Sequence, residues 1–283
     1  TSNNFNISAA APAQLAFLQQ PTNSASGAAI NPAISVRALD SFGNLTGYTG
    51  NITLAISNNP NGGTLSGTAT VAAVAGIATF SGLSINIAGN GYTLAASSPG
   101  LTGATSSAFN IAAGAPAQLV FGQQPSNTVA GAPISPAMTV RILDAFGNLT
   151  ASNASVTLAI GTNPGLGTLS GTTTVAAVNG IASFSNLSID KAGVGYTLSA
   201  TSPGLTGATS STFNISAGAP ALLSYLQNPT NTTSGAAISP AITVRALDNF
   251  GNLTGYTGNI TLAISNNPVG GTLSGTTTVA AVG

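Results

Sequence analysis

Cysteine, histidine, tryptophan and glutamate are all absent from the 283-residue chain, and lysine occurs once. Each absence removes a class of chemistry. Without histidine, glutamate or a thiol there is no general acid-base pair and no thiolate nucleophile, so the chain is not expected to be an enzyme. Zinc and haem lack their usual ligands, and no cofactor or metal is expected. With no disulfide available, packing alone must hold the fold. The missing tryptophan removes the broadest aromatic platform for a bound ligand.

Charge is nearly absent too. Four basic and four acidic residues make up 3% of the chain, where ordinary globular domains carry about a quarter. No basic stripe exists to neutralise phosphates and no polybasic cluster to meet anionic lipid, so nucleic-acid binding is not expected. No apolar run approaches the ~20 residues of a membrane helix, and no membrane insertion is expected in this segment. Disorder needs few apolar residues and high net charge, whereas this chain is 43% hydrophobic with net charge zero. A neutral surface promotes association. The expected partners are therefore neighbouring copies of the chain, as a homopolymer or lateral bundle, with covering glycan as the alternative.

What the chain does have is repetition. The segment Ala11–Pro21 (APAQLAFLQQP) returns as Ala115–Pro125 (APAQLVFGQQP) and as Ala219–Pro229 (APALLSYLQNP), a period of 104 residues. That length suits one independently folding domain and is far too long for a solenoid coil. The reading is residues 1–10 as the last strand of a preceding repeat, whole repeats at 11–114 and 115–218, and the N-terminal part of a third at 219–283. Over the first 65 positions, repeats one and three differ at 12 sites and repeats one and two at 24. Alternate repeats are the closer relatives, which predicts a two-repeat unit.

Within a repeat, short runs alternate apolar and polar residues between Gly, Pro and Asn, the signature of half-buried strands. Residues 15–17, 34–38, 52–56, 68–71, 77–80, 92–96 and 108–111 read as seven strands. Seven strands in about a hundred residues is the count of an immunoglobulin-type sandwich. The predicted fold is all-β: tandem immunoglobulin-like seven-stranded sandwiches arranged as an elongated rod. Its core is predicted at Leu15, Phe17, Ile34, Val36, Ile52, Leu54, Ile56, Val71, Ile77, Phe80, Tyr92, Leu94, Phe109 and Ile111. Tyr92 and Tyr196 stand where such sandwiches place a tyrosine corner, the alternative being a plain core aromatic. The linkers Ala112–Pro116 and Ser216–Pro220 are short, and their prolines favour extended geometry.

Six of the eight charges sit in one recurring motif: Arg37, Asp40, Phe42, Gly43 and Asn44, then Arg141, Asp144, Phe146, Gly147 and Asn148, then Arg245, Asp248, Phe250, Gly251 and Asn252. One carboxylate per repeat is far short of the six to eight oxygens that Ca²⁺ takes, so the motif reads as a structural turn. Asp40 is expected to cap it through backbone N–H groups, Gly43 or Asn44 to take a positive φ, and Arg37 to pair with Asp40 or bond loop carbonyls. Phe42, Phe146 and Phe250 either lid their own core, the preferred reading, or pack on the adjacent repeat. Asn44, Asn51, Asn148, Asn153, Asn252 and Asn259 open Asn-x-Ser/Thr sequons and are the candidate glycan acceptors, although composition alone accounts for most such matches. Asp190 and Lys191 read as a solvated surface pair.

Three motifs carry a resemblance: Asp40-x-x-Gly-Asn44, Gly76-Ile-Ala-Thr-Phe80 and Ala88-Gly-x-Gly-Tyr92-Thr-Leu94, repeated from Asp144, Gly180 and Ala192. With them the chain resembles bacterial Ig-like tandem repeats of the invasin and intimin type, found in very long surface proteins. The resemblance implies an extracellular or cell-surface location and a structural role, as a segment of a fibre, filament or adhesin stalk. A carbohydrate- or receptor-binding adhesive module is the alternative.

Overall fold

A computed structural model describes residues 4–283. Every regular element among them is a strand. The first repeat carries eleven: β1 (Gln14–Gln19), β2 (Ser24–Ala25), β3 (Ile34–Leu39), β4 (Asn51–Asn58), β5 (Leu65–Ser66), β6 (Thr70–Ala72), β7 (Ile77–Phe80), β8 (Ser84–Ile85), β9 (Gly89–Ser97), β10 (Ala104–Thr105) and β11 (Phe109–Ala112). The seven strands read from the sequence are β1, β3, β4, β6, β7, β9 and β11. The other four have two residues each, too short to show a period.

One main sheet has the order β1-β3-β7 and the other β2-β11-β9-β4-β6, with β10 beside β9, while β5 and β8 pair apart from both. Pairing is antiparallel except between β2 and β11. The chain therefore enters in one sheet and crosses to the other between β1 and β2. Pro21 lies at that crossing, where its locked φ and missing N–H break the ladder. Strands one, three and seven facing strands eleven, nine and four is the strand distribution of an immunoglobulin-like sandwich.

Alternation places the core. Ile34, Val36 and Ala38 of β3, Ile52 and Leu54 of β4 and Tyr92, Leu94 and Ala96 of β9 are buried, while the residues between them point to the opposite face of their sheet, as the two-residue pleat requires. Phe17, Ile56 and Val71 are only partly buried at its margin. Ile77 is a correction: β7 turns Ala78 and Phe80 inward, and Ile77, three residues from Phe80, falls on the opposite face. Ile30, Leu83 and Ile85 also belong to the core. Tyr92 is fully buried, its ring 6.2 Å from that of Phe109, and its hydroxyl donates to the carbonyl of Ile87, 3.0 Å away. That bond to backbone five residues upstream is the corner geometry.

The elements recur one period later. Met138–Leu143 pairs with Ile181–Phe184, Ser155–Ile160 with Thr174–Ala176 and Leu198–Thr201, and Phe213–Ser216 with Gly193–Tyr196 and, in parallel, Thr128–Val129. By packing, the chain forms two compact units: Thr1–Gln118 with Ile142–Asn153 and Val178–Gly180, and Leu119–Arg141 with Ala154–Ala177 and Ile181–Gly283. A loop of the second repeat thus belongs with the first.

Past Gly218 only four strands form, in two pairs: Leu222–Gln227 with Thr243–Leu247, and Asn259–Thr261 with Thr278–Ala280. Leu222, Leu223, Tyr225 and Leu226 are exposed. Residues 4–10, read from the sequence as part of a closing strand, form none. Phe5 and Ile7 are exposed. Residues 1–3 lie outside the described residues.

The faces of β7 can be tested by urea unfolding: Phe80→Ala should cost about 3–5 kcal/mol, and Ile77→Ala about 1 kcal/mol. Equal costs would reverse the assignment of the two faces.

Candidate functional site: the interrepeat turn

The Asp-x-Phe-Gly-Asn turn follows β3 and its counterparts. A strand ending at the sheet margin leaves N–H groups without ladder partners, and the aspartate satisfies them. Oδ1 of Asp40 accepts from the backbone N–H groups of Phe42 and Asn44, both at 2.9 Å. Its Oδ2 accepts from the Asn44 side-chain amide and from the Ala10 N–H, both at 3.0 Å. Gly43, with φ 87°, takes the left-handed position, while Asn44 does not.

Asp144 repeats this pattern with its own Phe146 and Asn148 and reaches into the first repeat. Its Oδ2 accepts from the Gly114 N–H at 2.8 Å and from the Ser26 hydroxyl at 2.5 Å. Asn148 completes the bridge. Its side-chain nitrogen donates both hydrogens, to Asp144 Oδ2 at 2.8 Å and to the Asn86 carbonyl at 2.9 Å. Its oxygen accepts from the Ala88 N–H at 2.9 Å. The next junction is built alike: Asp248 accepts from Gly218 N–H, and Asn252 donates to the Asp190 carbonyl and accepts from Ala192 N–H, both at 2.9 Å.

Phe146 and Phe250 are corrections to the preferred reading. Neither lids its own core. Phe146 lies over Gly27 and Phe250 over Gly131, so that a methyl group at either glycine would overlap the ring. Both glycines also have positive φ, 70° and 76°, which side chains disfavour. Contact across the junction leaves Phe146 48% and Phe250 43% exposed, whereas Phe42, with no such partner here, is 83% exposed.

Arg37 is also corrected. The partners of Asp40 are the four donors named above, and Nε of Arg37 is buried without any. In the pleat, Arg37 faces opposite to Val36 and Ala38, and hence away from Asp40. Arg141 and Arg245 hold the same strand positions. Asn148 and Asn252, each 8% exposed, are unsuited to glycan, because both amide hydrogens are already bonded, one to the aspartate of the same turn and one across the junction. Asn44, Asn51, Asn153 and Asn259 are exposed. Lys191 is no solvated partner of Asp190: its ammonium donates to the Phe250 carbonyl, while Asp190 accepts from Thr168 N–H at 2.6 Å.

The electrostatics follow from these bonds. The Asn44 amide, with backbone N–H groups helping, lowers the Asp40 carboxyl to about 2. For Asp144, burial would raise the value, but the bonds from Ser26, Asn148 and Gly114 outweigh it and hold the carboxyl well below the usual range. The same contest leaves Asp248 at about 2. No group of three or more His, Cys, Asp or Glu side chains that could hold a metal occurs among the described residues.

Among solved structures, the chain is similar to FdeC, an Escherichia coli adhesin, at 18% identity and TM-score 0.42, covering 91% of this chain and 82% of that one. It is similar to the D0-D1 domain of intimin at 16% identity and TM-score 0.28, covering 71% and 97%. Domains 4–9 of the surface layer protein SbsC match at 15% identity and TM-score 0.31, covering 91% of this chain and 40% of that one. Bacterial glycosidases match as well. At these TM-scores the likenesses bear on neither function nor assembly. No protein-family model and no curated protein matches.

The turn predicts an acid limb. A carboxylate whose pKa is depressed by folding contributes stability above its unfolded value, near 4, and loses it as pH falls through the folded value. Urea stability should therefore hold above about pH 5 and fall between about 4 and about 2, the window set by Asp40 and Asp248. Asp144→Asn should cost about 2 kcal/mol at pH 7 and weaken the acid dependence, while Ser26→Ala should cost about 1 kcal/mol. An unchanged acid limb in the Asp144 variant would deny the carboxylate its role.

Proposed function

We propose that the chain is a repeat segment of an extracellular fibre or surface stalk, in which each 104-residue repeat is fixed to the next by the Asp-x-Phe-Gly-Asn turn. One observation carries this reading: two successive junctions are closed by the same aspartate, asparagine and phenylalanine on the same three elements of the preceding repeat. Junctions made by chance apposition would not repeat this shared set of bonds. Fixed junctions suit a part that transmits position or force rather than one that binds and releases a ligand. The charge-poor surface adds a second aspect, association between copies, since little electrostatic repulsion holds them apart.

Small-angle scattering on the whole chain tests the first aspect. A stiff, extended particle is expected, with Asp144→Ala shifting the profile towards flexibly linked bodies. A flexible wild-type profile overturns the reading. Light scattering of the unglycosylated chain at high concentration and low salt tests the second. Growth of large species is expected, and a monodisperse monomer would make the repeats passive spacers.

A further inference from the structure

The two junctions share their aspartate, asparagine and phenylalanine but differ at two further positions. At the first, Ser26 donates its hydroxyl to Asp144 Oδ2 at 2.5 Å and itself accepts from the Gly114 N–H at 3.0 Å. The residue one period later is Ala130, so Asp248 lacks that fifth donor and is left with Phe250, Gly218 and the two groups of Asn252. At the second junction, Lys191 reaches the carbonyl of Phe250. The equivalent residue in the first repeat is Ile87, which has no side-chain donor to offer Phe146.

Each junction therefore has one extra donor that the other lacks, supplied by a different segment of the preceding repeat. Serine serves the carboxylate, and lysine serves the carbonyl between carboxylate and glycine. The third repeat has Ser234 at the Ser26 position, so serine, alanine and serine alternate along the chain, in step with the closer kinship of repeats one and three.

We propose that the repeats make two alternating kinds of junction, and that the residue pairs Ser26 with Ile87 and Ala130 with Lys191 specify which kind a repeat makes with its successor. The proposal rests on the reading of these turns as the connectors of a fibre and names what distinguishes one connector from the next. Its chemistry sets the two apart in solution. The first junction gains a neutral donor buried against a carboxylate, which salt hardly touches. The second gains a partly exposed ammonium on a carbonyl dipole, which salt screens.

Hydrogen-deuterium exchange on the full chain reads each junction separately, through peptides covering residues 144–148 and 248–252. Lys191→Met should raise exchange at 248–252 about threefold or more and leave 144–148 unchanged. Adding Ala130→Ser to that variant should recover most of the lost protection by supplying the serine donor. Ser26→Ala should raise exchange at 144–148 alone. Raising salt from about 0.05 M to about 1 M should weaken protection at 248–252 but not at 144–148. If Lys191→Met exchanges like the wild type at 248–252, or Ala130→Ser restores nothing, the two junctions are equivalent and the proposal falls. The exchange pattern is independent of particle stiffness, so this failure is distinguishable from that of the fibre reading.

Discussion

A carboxylate removed from water is costly until donors replace its hydration, and the junction turn is organised around that constraint. Asp144 has too few donors in its own turn: Phe146, Asn148 and the Asn148 amide leave Oδ2 incompletely met. Gly114 and Ser26, from the preceding repeat, complete the shell. The aspartate therefore does more than cap a turn. It makes the turn of one repeat depend on the loops of another, and Asn148 and Phe146 dock as a consequence.

In a chain with so few charges, this use of an ionised group stands out. Six of the eight charged residues lie in or beside the turn. Apolar area alone would let two sandwich ends slide over one another, because burial is non-directional. Hydrogen bonds to a carboxylate and to a side-chain amide have fixed directions, and so select one seating of the turn from many.

Much of the sandwich was legible in the sequence, because β3, β4 and β9 state their alternation over five residues or more. Ile77 was misread because a run of four residues supports either face. Ile30 stands alone between Ala29 and Asn31, with no period to place it, and the alternation of Leu83, Ile85 and Ile87 was passed over because the run is enclosed by Gly82 and Gly89 and reads as a turn. The turn was legible as a turn from Asp, Gly and Asn at fixed offsets. Its attachment to the preceding repeat was not, since Ser26 and Asp144 lie 118 residues apart and neither is unusual in its own segment. The Phe-over-Gly contacts had one available signal: Gly27 and Gly131 recur at the position that Phe146 and Phe250 cover.

Residues 86–88 have attachments on two sides. The Ile87 carbonyl accepts from the buried hydroxyl of Tyr92 within its own sandwich, while Asn86 and Ala88 are bonded to Asn148 of the repeat that follows. Loosening the core around Tyr92 therefore perturbs the seat of the next repeat's turn, and losing that turn frees one side of the segment that Tyr92 holds. The stability of such a chain is not a sum over independent beads. It contains nearest-neighbour terms, so that melting spreads from a damaged repeat to the one beside it before it reaches others farther along.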